Sequence, residues 1–166
     1  MELGWRHALA GMAVLFVAFL LFKMRPAQRR GRALAAEQLQ AARDRVHRAT
    51  TTGDRVAALC EAGALAASGA RRTTAAAGFF LRAMRADPAS PRPIEQAVAA
   101  LARSAPRVIE RILWRRLSVL PWDGDHRAAA VAAAIGLRDL YAGPIRDRGR
   151  AEIMRKLSRL LGDAAP

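Results

Sequence analysis

TTAAAGFFLRAMRADP, residues Thr73–Pro88, is the stretch on which the reading of the fold turns. Ala76, Phe79, Phe80, Ala83 and Met84 recur at i, i+3, i+4, i+7 and i+8, which is one apolar stripe of an α-helix. Arg82 and Arg85 fall away from that stripe. Thr73 or Thr74 offers an N-cap, and Asp87-Pro88 closes the run, because proline has no N–H to continue it. Little period-two alternation of β-branched residues occurs anywhere in the chain, so the class is all-α.

The same pattern repeats on both sides. Downstream, Ser90-Pro91 and Ser104 with Pro106 restart helices, a serine cap with proline in the first turn. Ile94, Ala97, Val98 and Leu101 form one stripe, and Ile109, Ile112, Leu113, Leu117 and Leu120 the next, closed by Pro121. Trp122 to His126 reads as a turn followed by a cap. A further helix places Ala130, Ala134, Leu137 and Tyr141 inward and stops at Gly143-Pro144. The last carries Ile153, Leu157, Leu160 and Leu161 on one side, with a Glu152–Lys156 pair at i,i+4, and ends at Gly162. Upstream, Asp54 is the expected N-cap of a helix with Val56, Cys60, Gly63, Ala64 and Ala67 on one small-residue face, stopped by Gly69. Before it, Ala35, Leu39, Ala42, Val46 and Ala49 make a narrow seam from about Ala33, with Asp44 and Arg48 paired at i,i+4. Six or seven short helices joined by tight turns make an array of α-hairpins over 34–162, with 163–166 as a tail. Such an array closes as a solenoid or as a compact bundle.

The Thr73–Pro88 segment resembles the second helix of a tetratricopeptide repeat, a 34-residue helix pair with small residues at fixed places and a closing proline. Counted back from Pro88, Ala83, Phe80 and Ala76 stand where that pattern asks for Ala, a large aromatic and Ala. The first helix departs from it. With the repeat begun at Ala57, the places for Trp, Leu, Gly and Tyr hold Cys60, Gly63, Ala64 and Ala67, and only the small one is respected. In the next unit Trp114 falls on the aromatic place, Glu110 does not match the Ala, and Pro121 comes one residue early. The resemblance spans 57–122. It implies a helical-repeat adaptor that holds protein segments in a concave groove.

At the other end, the fifteen residues Ala8–Phe22 contain no charge. Fifteen residues reach roughly 22 Å as a helix, short of a bilayer core of about 30 Å. Trp5 at the interface, and Arg6 and Lys23 with long stems, extend the stretch to a transmembrane helix over 5–24. No small-x-small cleavage site follows directly, which argues against a removed signal peptide. Lys23, Arg25, Arg29, Arg30 and Arg32 outweigh the positive charge before the span. That asymmetry places residues 1–7 outside and the main body in the cytoplasm, in a bacterial inner membrane by preference. Pro26 is expected to end or kink the helix, and 25–33 to form a basic neck against anionic headgroups.

The formal net charge is +14, and of 28 basic residues only Lys23 and Lys156 are lysine. Such a balance suits a lipid surface, an acidic protein or nucleic acid. A lone cysteine, Cys60, allows no internal disulfide and reads as a small buried hydrophobe. No phosphate loop, nucleophile elbow or zinc-ligand pair appears; His7, His47 and His126 share no ligand spacing, and Asp123, Asp125 and His126 read as turn and cap rather than metal corner. No catalytic residue, cofactor or metal site is therefore assigned. Arg107, Arg111 and Arg115 line one helix face, and together with Trp122 they form the candidate partner surface. The expected function is a non-catalytic, single-pass membrane adaptor that recruits a protein partner. Two alternatives stay open: a basic face for nucleic acid or anionic lipid, less favoured, and an accessory subunit of a larger membrane complex.

Overall fold

The computed structural model describes residues 3–68, 72–119 and 121–163, without the side chains of 3–10, 18 and 20–32. Among the described residues the chain is all-α. It comprises α1 Leu3–Arg48, α2 Thr52–Ser68, α3 Thr73–Ala86, α4 Arg92–Leu101, α5 Pro106–Val119, a 3-10 turn Gly124–His126, α6 Arg127–Ala142 and α7 Arg148–Asp163. Gly69, Leu120 and all but the first residue of the 163–166 tail lie outside the described residues.

The largest departure from the sequence reading is α1. A break at Pro26, a neck over 25–33 and a fresh helix from Ala33 were expected, yet one helix of 46 residues runs through all three. A proline removes one ladder bond and crowds the carbonyl four residues earlier. Leucine, lysine, methionine and arginine before it and alanine, glutamine and arginine after it are good helix formers, and propagation through them carries the helix across that defect. Among the described residues no helix is long and apolar enough to cross a membrane. Within the expected 5–24 span, side chains are described only at 11–17 and 19, and each of these is exposed. The flanking side chains Trp5, Arg6, Lys23, Arg25, Arg29, Arg30 and Arg32 lie outside the described set.

Beyond α1 the most extensive contacts are α2 with α3 and α6 with α7, while α5 packs chiefly on α6 and less on α4. In series α2 touches α4 and α4 touches α6, while α1 lies against α2. One core runs through all of them, from Leu39 and Ala42 in α1 to Met154 and Leu161 in α7. The stripe that opened the sequence reading is buried throughout: Ala76, Phe79, Phe80, Ala83 and Met84 all lie in this core.

Two glycines set how closely the pairs approach. A Cβ on Gly63 would stand 2.8 Å from Cζ of Phe80, so the ring lies directly on the α2 backbone. A Cβ on Gly136 would meet Val98 Cγ2 at 2.8 Å and Leu113 Cδ1 at 3.0 Å, where α4 and α5 converge on α6. Small residues at these contacts let helix axes approach until a large side chain fills the gap.

The caps differ from expectation. Thr51, not Asp54, caps α2: the Asp54 N–H donates to Thr51 Oγ1 at 3.1 Å, while the Thr51 hydroxyl donates to Asp54 Oδ2 at 2.7 Å. Asp54 thus takes the third helical position, where a carboxylate can answer the cap residue. At α3, Arg72 precedes the helix and no side chain caps it. At α4 the cap is Pro91 rather than Ser90, again with no side-chain cap. Asp87 closes α3 as expected, and its Oδ1 also accepts from the Ser90 N–H.

Candidate functional site

A groove of about 1250 Å³ opens between the end of α1, the outer face of α2 and α4. Its floor is built from small side chains, chiefly Ala57, Ala58, Ala64, Ala99 and Ala100, with Cys60 beneath. The rim is basic: Arg45 and Arg48 on one side, Arg92 and Arg103 on the other. Sequence reading put Ala64 on the buried face of α2, yet it is exposed on the groove. The face α2 buries is wider and includes Ala58, Leu59, Ala62 and Ala66, because α2 is packed by α1, α3 and α4 together.

One rim arginine is already engaged. Arg45 Nη1 donates to Glu61 Oε2 at 2.6 Å and ties α1 to α2. The expected Asp44–Arg48 ion pair is replaced by a bond from Arg48 Nε to the Asp44 carbonyl at 3.3 Å. Among the described residues no ion pair involves Arg48, Arg92 or Arg103, so their charge faces the opening. Cys60 is 1% exposed; burial pushes its thiol up, and the Arg92 charge offsets only part of that. A thiol held protonated in this way is a weak nucleophile.

The arginines singled out in the sequence are elsewhere, on α5, and all three are exposed. Arg107 Nη1 donates to Glu110 Oε2 at 2.9 Å, whereas among the described residues Arg111 and Arg115 make no ion pair. Trp122 is spent locally: its indole N–H donates to the Leu117 carbonyl at 2.8 Å and satisfies the end of α5. Of the repeat-like positions, Ala76, Phe80 and Ala83 are fully buried, and the carbonyl of Pro88 accepts from Arg116 Nη2 at 2.9 Å.

Sequence reasoning missed the polar node between α5, α6 and α7. Glu110 is the buried charged residue among the described ones. Its Oε1 accepts from the Tyr141 hydroxyl at 2.8 Å, and that hydroxyl accepts from Trp114 Nε1 at 2.8 Å. Arg150 reaches Glu110 Oε1 at 3.4 Å and lies 5.6 Å over the Tyr141 ring. Burial pushes the Glu110 carboxyl up. Hydrogen bonds from Arg107 and Tyr141, with the charges of Arg107 and Arg150, outweigh it and hold the carboxyl below its ordinary value of 4.5. Burial raises the Tyr141 phenol, opposed by the Trp114 bond and reinforced by Glu110. The sequence signal was present: Glu110 occupies a place that the helical pattern gives to alanine, among apolar neighbours.

The last helix turns only part of its expected face inward, with Leu157 packed against the core. Met154 and Leu161 are buried, while Ile153 and Leu160 are exposed. Glu152 pairs with Arg155 rather than Lys156. Arg127, on α6, donates Nε to the Leu161 carbonyl at 2.6 Å and so fixes that end of α7 against α6. Among the described residues no group of three or more His, Cys, Asp or Glu could hold a metal ion. Comparison with protein families, characterised proteins and solved structures finds no match for this chain.

Proposed function

We propose that this chain is a membrane-tethered, tetratricopeptide-like adaptor whose groove between α1, α2 and α4 holds a segment of a protein partner. The groove carries the reading. Its volume of about 1250 Å³ exceeds the usual small-molecule pocket of roughly 300–1,000 Å³ and suits a short peptide helix. An alanine floor leaves room for bulky apolar side chains from the partner, and unpaired rim arginines favour acidic residues beside them. The pairing of α2 with α3 and of α6 with α7, with α4 in contact with both α2 and α6, supports a repeat-like array. The tether rests on the uncharged Ala8–Phe22 stretch and on the exposure of its described side chains, an apolar surface with no polar face.

Filling the groove tests the reading. Ala57→Trp and Ala99→Trp both replace exposed alanines, so the fold tolerates them. Each is expected to abolish recovery of a protein partner from solubilised membranes that the unaltered chain retains. A partner held equally by both variants, or none recovered by the unaltered chain, overturns the groove reading. Release of the intact chain by carbonate washing overturns the tether.

A further inference from the structure

We propose that the cleft where α5 meets the α6–α7 turn binds a phosphate group. This inference is independent of the groove and of the tether. The cleft measures about 540 Å³ and is lined by Arg107, Ile145, Arg146, Asp147, Arg148 and Arg150. Four arginines and one carboxylate thus line a space of small-ligand size.

Two of the four are held in place from beneath. Glu110, with its side chain 12% exposed, accepts Arg107 on Oε2 at 2.9 Å and Arg150 on Oε1 at 3.4 Å. Asp147 Oδ2 takes Arg150 Nε at 3.2 Å, and the Tyr141 ring lies below the same guanidinium. A buried carboxylate that is itself fixed by Tyr141 orients these forks before any ligand arrives, so little ordering cost remains for binding. Their outward N–H groups stay open to the cleft, and each guanidinium has five donors of which the node uses few.

The other two arginines are unspent. Among the described residues the side chains of Arg146 and Arg148 make no hydrogen bond or ion pair. They flank Asp147, which spends its Oδ1 on the Arg150 N–H at 3.0 Å as the cap of α7. The backbone N–H groups of Arg148 and Gly149 come before the first intrahelical bond, and Gly149 is exposed. Arginine forks matched to tetrahedral oxygens, together with free N–H groups at a helix start, recognise a phosphate better than a single carboxylate. A dianion also balances the excess of positive charge. That phosphate belongs either to a dissolved phosphomonoester or to a lipid headgroup.

The test uses the full chain with phosphatidylcholine nanodiscs, and follows the amide shifts of Arg148 and Gly149 as inorganic phosphate is added at constant ionic strength. Saturable shifts centred on these amides are expected. The exposed pair Arg146→Gln with Arg148→Gln should weaken binding at least tenfold, while Arg111→Gln with Arg115→Gln leaves it unchanged. A linear, unsaturated response, or equal weakening by both pairs, overturns the proposal, because either reads only general charge. A second arm replaces part of the phosphatidylcholine with phosphatidic acid and omits dissolved phosphate. The same shifts there assign the headgroup, and their absence beside an intact phosphate response assigns a soluble phosphomonoester. Silence in both arms overturns the site.

Discussion

The α2–α3 pair, built from alanine-rich helices, and the α5–α6–α7 junction, where α5 has no alanine and α7 one, are fixed by different physics. The first is apolar at its contact: the Phe80 ring rests on Gly63, and Ala62, Ala66, Ala76 and Ala83 close around it. Only Phe79, nearer the surface, is dressed by charge, with the Arg82 guanidinium 4.6 Å from its ring centroid. The second contact is organised around Glu110, Tyr141 and two arginines. Steric fit tolerates changes of pH and salt and fails on changes of volume. A satisfied polar node tolerates little loss of a donor or acceptor, and it responds to protonation.

Removing the ring should have the largest effect. Phe80→Ala is expected to destabilise the fold by about 3–5 kcal/mol, read by thermal or denaturant unfolding. An unchanged midpoint would show that the α2–α3 contact does not depend on the ring. Next comes the partner surface. Gly63→Leu forces a side chain into the space the ring occupies and should cost roughly 1–3 kcal/mol, whereas no atom lies within 4 Å of a Cβ at Gly78, which faces open space in the middle of α3. Gly78→Ala should therefore stabilise by about 0.5–1 kcal/mol through helix propensity, the opposite sign for a smaller version of the same chemistry.

At the polar junction, Tyr141→Phe removes one hydroxyl that serves both Glu110 and Trp114. A loss of about 1–2 kcal/mol is expected, with little change in helix content by circular dichroism. The smallest effect is the pH dependence. The folded Glu110 carboxyl lies below its ordinary value of 4.5, so its contribution is present above that value and fades as pH falls through the lower folded value. Unfolding followed across that acid range should show stability falling in the unaltered chain and a flatter slope in Glu110→Gln. Identical slopes would mean that the node contributes nothing through its charge.

Much of the fold was legible along the chain. The stripes of α3 and α4 could be read because each packs mainly through residues spaced three and four apart, and their buried sets agree with that spacing. Apart from Pro26, which α1 runs through, prolines and the Asp87 stop marked boundaries to within a residue or two. The candidate site was less legible. Arg107, Arg111 and Arg115 share a face by spacing, but spacing does not say that Arg107 is bound to Glu110. The rim of the groove joins Arg45 and Arg48 to Arg92 and Arg103, residues separated by an entire hairpin. Ile153 and Leu160 looked inward because α7 offers more apolar positions than its neighbour α6 can cover.

The order of helices, their apolar stripes and an all-α class follow from the sequence alone, because helix periodicity and proline chemistry act over a few residues. The seating of Phe80 on Gly63, the Glu110 node and both clefts were decided only in three dimensions. They depend on which helices become neighbours, and that is settled by packing many weak contacts at once rather than by any local stretch of chain.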